Sequence, residues 1–447
     1  MAGRPSLQAQ SSAQRFALRR LEYAVLGRSM PDRHDPLRAK KLALLIGCAV
    51  AAGILVVDAA LSGFRHDEVP GDAALVMARE SGALFVRVDD QLRPVANLTS
   101  ARLILGSPAT PHLVDETALR QVSGGPILGI PGAPHKLGEV VTPTDLRWAV
   151  CDGAGGRTSI VAGGDWAPVE LDEHAAVAVT VARGDGSVYL LYDGKRAMIE
   201  PGDPATARGL HLDTSAIRTV SPIVLNAIPE VPAIGPPRIT RMGQQSGIAG
   251  LPIGTVVRAV RADTREYYVV LADGLQRVGQ LTVDLMRFAD PAATDIIDVA
   301  PELIARSALV DALPVATYPD EPPSITDVGE ELCATWQSGR PGIAGGRADE
   351  GRGSVTLAGA DGDGPAVDVV RMHPGRSLDV ADPATSARYL ITDAGVRFPV
   401  SDSAAGALGL SDRAAVAPWP IIGALPGGPE LVREAALVGR DILGPAP

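Results

Sequence analysis

A chain of 447 residues is long for a single ordinary core and suggests one large domain or two to three smaller ones. Its formal net charge of -11 excludes a protein that grips nucleic acid with its whole surface, because phosphate binding needs a basic face. Aromatic residues make up only 4% of the chain, which argues against a cell-envelope module that stacks sugar rings on aromatic faces.

The charge is unevenly placed. Arg4, Arg15, Arg19, Arg20, Arg28, Arg33, Arg38, Lys40 and Lys41 face only Glu22, Asp32 and Asp35 at the N-terminus, so the remainder is more acidic still. Within this basic arm, Phe16, Leu18, Leu21, Tyr23, Val25 and Leu26 recur at roughly helical spacing, which predicts an amphipathic helix. Such a helix suits either the anionic inner leaflet or a docking partner.

The apolar run that follows, "LALLIGCAVAAGILVVDAALSGF", extends from Leu42 to Phe64. As a helix it would reach roughly 35 Å at about 1.5 Å per residue, against a hydrocarbon core of about 30 Å. It starts too far into the chain and runs too long for a cleaved secretory signal. The expectation is therefore a single membrane-spanning helix. Arg38, Lys40 and Lys41 on its N-terminal side place residues 1–41 in the cytoplasm and 65–447 outside it. Asp58 is the one carboxylate in the span. It reads as a residue near the outer end or as a polar contact with a neighbouring helix.

Four stretches of the exported body resemble one another: "LFVRVDDQLRPVANLTSARLILG" from Leu84, "VYLLYDGKRAMIEPGDPATARGLHL" from Val188, "YYVVLADGLQRVGQLTVDLMRF" from Tyr267 and "ARYLITDAGVRFPVSDSAAGALGL" from Ala387. Each reads as strand, tight turn, strand and short helix. The turns centre on Asp89 and Asp90, Asp193 and Gly194, Asp273 and Gly274, and Asp393 and Gly395, residues that supply local hydrogen bonds and positive φ. Asn97 in "NLT" matches a glycosylation triplet but reads better as the end of a strand or a helix cap. A ββα unit of this size cannot bury its apolar face alone, so four copies should share a core. The expected class is α+β: ββα-type repeats at about 75–106, 183–212, 256–288 and 367–410 around a β-rich central domain from 107–180 and 300–366. A Pro-rich segment, 417–447, follows.

Cys48 lies in the apolar run, leaving Cys151 and Cys333 in the body, in "RWAVCD" and "LCATWQ". Each has a tryptophan three residues away, on opposite sides. These two are either a disulfide or a pair of buried free thiols, and an oxidising compartment favours the bridge. No histidine stands at ligand spacing from either, so no metal site is expected.

Catalytic signals are weak. The one Gly-Lys pair, Gly194-Lys195, precedes Arg196 and lacks the earlier glycine of a phosphate-binding loop. His34, His66, His112, His135, His174, His211 and His373 are scattered, and no HExxH or GxSxG occurs.

The motifs "QRFALRRLEYAVL", "LRPVANLTSARLILG", "ILGIPGAP", the "WAVCD" and "LCATW" pair, "LNAIPEVP" and "APWPIIGALPGGPELVREAALVGRDIL" occur in an order that resembles the EccB family of type VII (ESX) secretion systems. "MARESGALFVRVDD" and the short tail after "GRDIL" are most similar to the EccB of the fourth ESX system. The resemblance implies a structural inner-membrane subunit with a periplasmic body, a Cys151–Cys333 disulfide, self-association, and assembly with the EccC ATPase, EccD, EccE and a mycosin protease. It implies no cofactor of its own. Members of the family carry an ATPase label, which these residues do not support. Three readings follow: a secretion scaffold, an exported ATP hydrolase with an unrecognised site, and a glycan-binding module. The scaffold explains most features with fewest assumptions.

Overall fold

The computed structural model describes residues 7–28, 36–63, 73–119, 124–141, 146–153, 155–163, 169–261, 264–290, 295–346 and 353–441. The chain forms two compact units, Met1–Gly71 and Asp72–Pro447.

The first unit holds two helices, Leu7–Val25 and Pro36–Gly63. The second helix takes in the apolar run from Leu42 to Gly63. Its described side chains, 43 to 57, include Leu44, Leu45, Ile46, Val50, Ile54, Leu55, Val56 and Val57, each 56–69% exposed. Among the described residues no helix is long and apolar enough to cross a membrane. The side chains of Arg38, Lys40, Lys41 and Asp58 lie outside the described residues, as does Phe64.

The second unit contains mixed α and β structure dominated by sheets. Four modules within it share one strand order, a three-stranded antiparallel meander, a helix, and a strand that returns parallel to the meander's first. The first module comprises strands Leu75–Ala78, Leu84–Val88 and Gln91–Val95, helix Leu98–Leu105 and strand His112–Val114. The second has Ala175–Val181, Val188–Tyr192, Lys195–Ile199, helix Pro204–Gly209 and Arg218–Val220. The third has Val256–Arg261, Thr264–Val270, Leu275–Val278, helix Gln280–Ala289 and Ile296–Val299. The fourth has Arg376–Ala381, Arg388–Thr392, Arg397–Pro399, helix Asp402–Leu408 and Ala415–Val416.

Local chemistry starts three of the module helices. The side chains of Asn97, Asp203 and Ser401 accept hydrogen bonds from backbone N–H groups of the first turn, satisfying donors that have no partner within the helix. The third helix begins at Gly279 without a side-chain cap and relies on burial of Leu281, Val283, Leu285 and Met286.

Each module is thus βββαβ, one strand longer at each end than the ββα pattern expected from sequence. The closing strands are short and pair across a helix, so no local turn announces them, whereas the opening strands join the next strand by a local hairpin that the ββα pattern did not extend to. Two boundaries differ as well. Ala175–Val181 opens the second module instead of closing the central segment, and Val369–Arg371 pairs with Thr158–Ala162 of the central sheet instead of opening the fourth module.

The central sheet has seven strands in the order Ser354–Thr356, Val369–Arg371, Thr158–Ala162, Trp148–Asp152, Glu331–Gln337, Arg340–Gly346 and Val169–Glu170. One face carries Trp148, Val150, Ile160, Leu332, Ala334, Ile343 and Val370 into the largest core. There they meet Val177, Val179 and Leu191 of the second module and Leu378, Val380 and Ile391 of the fourth.

The modules pair through their helices. Helix Leu98–Leu105 packs on Asp402–Leu408 in a core shared by modules one and four. Helix Pro204–Gly209 packs on Gln280–Ala289, with Leu281 and Leu285 entering the second module's core. A Cβ at Gly209 would stand 2.7 Å from Leu285 Cδ2, so a side chain there would force Leu285 to shift in the helix contact. The second module's sheet is therefore buried on both faces, which explains the unbroken apolar sequence "AAVAV" of its first strand.

The C-terminal segment binds the body to itself. Ile421 and Ile422 enter the central core, Gly427 and Leu431 bridge to Arg397 and Val400 of the fourth module, and Leu431 and Ala436 join the core shared by modules one and four. Strand Gly439–Arg440 then pairs with Ile127–Leu128 at the edge of the first module's sheet.

Trp148 is 0% exposed at the centre of the largest core, whereas Trp336 opposite it is only partly buried. Trp148→Ala is expected to cost about 3–5 kcal/mol of stability and Trp336→Ala less than half as much, measured by denaturant unfolding. Equal losses would contradict this placement of the core.

Candidate functional site

In antiparallel register, Cys333 stands opposite Cys151 and Trp336 opposite Trp148. The mirrored spacing of "WAVC" and "CATW" makes both pairings simultaneous. An offset of three puts tryptophan and cysteine on opposite faces of the sheet. The Cys151–Cys333 disulfide is formed, with Cα atoms 4.0 Å apart and 182 residues between the two in sequence. Closing so long a loop restricts the unfolded chain by about 5 kcal/mol in the entropic model.

The disulfide packs with Ala149, Val161 and Ala344 in a small apolar cluster on the face away from Trp148. Polar pairs flank that cluster. Arg371 Nη2 meets Glu331 Oε1 at 3.3 Å, both side chains largely buried, and Arg147 donates to Gln337 Oε1 at 2.9 and 3.1 Å. Burial raises the Glu170 carboxyl above its ordinary range, against the charge of Arg147 and a hydrogen bond from Thr335. Glu331 and the two sulfurs lie within 4.8 Å of one another, a grouping of metal-ligand type. With the sulfurs bonded to each other, however, no pair of thiolates is offered to an ion.

The turn residues singled out from sequence are spread over separate places. Asp89 and Asp90 both adopt positive φ, 51° and 61°, in an exposed hairpin turn. Asp193 and Gly194 do the same at 43° and 66°, but this turn packs on the central sheet, where a Cβ at Gly194 would collide with the Pro341 carbonyl. Gly395, at φ 77°, lies against Val370 of the same sheet, and Asp393 Oδ2 accepts from Gly375 N at 2.6 Å. Gly274 abuts the Ala308 backbone, beside an exposed Asp273. Two of the four turns are thus joints onto the central sheet.

A cavity of about 490 Å³, not anticipated from sequence, opens between the central sheet and the second module. It is lined by Asp152, the loop at Gly153, Gly155 and Gly156, Arg183, Arg218, Ser221 and Asp363. Asp152 is buried and accepts from Ser221 N and Thr158 Oγ1; burial pushes its carboxyl up, opposed by those bonds and by the charge of Arg218. Arg218 donates to the carbonyls of Gly329 and Glu330, and Arg183 pairs with Asp363 at 3.1 Å. Arg183 and Asp363 are spent on each other, and Arg218 and Asp152 on hydrogen bonds to neighbouring protein groups, so the cavity is a polar joint between module and sheet. The "CDGAGG" run beside Cys151 was its one sequence signal. His112, His135, His174, His211 and His373 are all exposed and far apart in sequence, while His34 and His66 fall outside the described residues.

Residues 4–445 match the family model described as "Type VII secretion system ESX-1, transport TM domain B". The chain belongs to this EccB family. It is 33% identical to the ESX-3 secretion system ATPase EccB3 of Mycolicibacterium smegmatis, over 98% of this chain and 91% of that protein. It is 31% identical to the ESX-5 secretion system ATPase EccB5 of Mycobacterium tuberculosis, over 98% and 94%. Among solved structures, a chain of an intact ESX-5 inner membrane complex matches with TM-score 0.73 and 29% identity, covering 99% of this chain and 97% of that one. An EccB3 dimer from the ESX-3 core complex matches with TM-score 0.71 and 32% identity, covering 82% and 100%. The word ATPase belongs to the names of those relatives. In this EccB chain, Gly194-Lys195 opens a strand, not a helix, and Lys195 Nζ is held by Asp193 Oδ2 at 2.5 Å.

Two outcomes test these joints. Gly82 has positive φ in open space, so Gly82→Ala should cost only the left-handed backbone term of about 1–2 kcal/mol. Gly194→Ala adds the clash with Pro341 and should cost at least twice as much in unfolding experiments. The second test is pH. Because the folded Asp152 carboxyl titrates above its unfolded value of about 4, its contribution is full below that pH and lost as pH rises through the raised value. The stability of wild type relative to Asp152→Asn should therefore fall as pH rises above about 4, read from urea midpoints.

Proposed function

We propose that this chain is a structural subunit of a type VII secretion inner-membrane complex. In this reading residues 42–64 span the membrane once, residues 1–41 remain cytoplasmic, and the body from 65 onward stands on the periplasmic side, its four modules being repeats of one unit. The observation that carries the proposal is the central sheet, pinned by a buried disulfide and clasped by modules two and four. A disulfide of this kind belongs to an oxidising compartment, and a body whose module turns at Gly194 and Gly395 pack tightly on the central sheet is suited to holding geometry.

Self-association is supported by the dimer described for EccB3 of the ESX-3 core complex. The chemical work of export then falls to partners, namely the EccC ATPase with EccD, EccE and a mycosin protease. Nucleotide hydrolysis by this chain itself is supported by the relatives' names alone.

The test is to extract tagged full-length protein in mild detergent, size it on a native gel and identify its companions by mass spectrometry. A particle many times the mass of one chain, containing an FtsK-like ATPase and multi-span subunits, is expected. A lone chain or simple dimer that hydrolyses ATP would overturn the scaffold reading.

A further inference from the structure

Helix Leu7–Val25 presents Leu18, Leu21 and Val25, which are 63%, 61% and 81% exposed. At about 100° per residue these three fall within about 60° of one another, as expected for positions i, i+3 and i+7. Arg15 and Arg19 follow about 60–100° to one side of Leu18, and Arg20 stands about 100° beyond Leu21 on the other. Glu22 is the only carboxylate between residues 7 and 28, against Arg15, Arg19, Arg20 and Arg28.

We infer that this face lies flat on an anionic bilayer surface, with Leu18, Leu21 and Val25 at the acyl boundary and the arginines among the headgroups. The charge pattern selects this occupant over a protein groove. Guanidinium groups on both flanks of a narrow apolar stripe can bury their stems along it and reach out to phosphates on either side. A protein groove would more commonly be matched by charges of both signs. The inference rests on the scaffold reading in one respect. The apolar run that opens seventeen residues after Val25, at Leu42, must hold the arm at the cytoplasmic leaflet, where anionic lipid attracts basic segments within a Debye length.

The consequence is mechanical. A single span fixes position across the bilayer but leaves rotation about its own axis free. A second helix lying in the plane leaves that rotation free, because the bilayer is isotropic in its plane, but it holds the cytoplasmic end of the span at one depth and limits its tilt.

The test uses the full-length chain with Cys48→Ser, the body disulfide left intact, and one cysteine introduced as Leu21→Cys, Val25→Cys or Ser12→Cys, Ser12 lying on the far side of the helix. Each carries an environment-sensitive dye and is reconstituted into vesicles of phosphatidylglycerol mixed with phosphatidylcholine, or of phosphatidylcholine alone. Blue-shifted emission at 21 and 25 but not at 12, in the anionic vesicles only, is expected. Combining Arg15→Glu, Arg19→Glu and Arg20→Glu should return it to the level at position 12. Equal emission at the three positions, or a shift that appears only when the other subunits of the complex are added, overturns the inference. The same labelled chains run on a native gel separate the two readings. Assembly with an unshifted dye defeats only the membrane-surface arm, whereas a shifted dye without assembly supports the arm and defeats the scaffold.

Discussion

The pairing of strand Trp148–Asp152 with Glu331–Gln337 is the contact on which the body depends. It joins segments 182 residues apart, and it does so with two unlike devices placed back to back, a covalent bond on one face and a fully buried tryptophan on the other. The bond limits how far the unfolded chain can stray, and the tryptophan anchors the core into which modules two and four insert. Neither device substitutes for the other. The disulfide would hold two strands together without a core, and the core would form slowly if its two central strands had to meet by diffusion over so long a loop.

From this sheet outward the architecture is one of paired modules, two with three and four with one. Each pair is closed by helix packing and, at the sheet itself, by turns that admit no side chain at Gly194 and Gly395. Such joints explain how a body with few aromatic residues achieves close packing. Backbone approaches backbone at Gly194 and the Val370 side chain at Gly395, and dispersion contacts accumulate where a Cβ would have kept the surfaces apart.

Much of this was legible in the sequence where the signal is local. The Asp- and Gly-centred turns marked the hairpins, Asn97 marked a helix start, and the mirrored tryptophan and cysteine spacing contained the strand register. The outer strand of each module was not legible, because pairs such as Val76 with His112 form across a helix and leave no turn signature. The strand Ala175–Val181 was misplaced because burial on both faces erases the alternation that identifies a module strand. The cavity at Asp152 was hidden for another reason. Its lining comes from four stretches of chain, around residues 152, 183, 218 and 363, and its charged groups are held by neighbouring protein groups instead of forming a motif.

The C-terminal lacing has a consequence for the order of events during biogenesis. Strand Gly439–Arg440 completes the edge of a sheet whose other strands lie within residues 75–128, so the first module to be synthesised is among the last to be sealed. Until Gly439–Arg440 is in place, the Ile127–Leu128 edge carries unpaired backbone donors and acceptors. A prematurely terminated copy would retain that open edge. Pairing at Gly439–Arg440 therefore shields the first module's sheet from taking up a foreign strand at that edge.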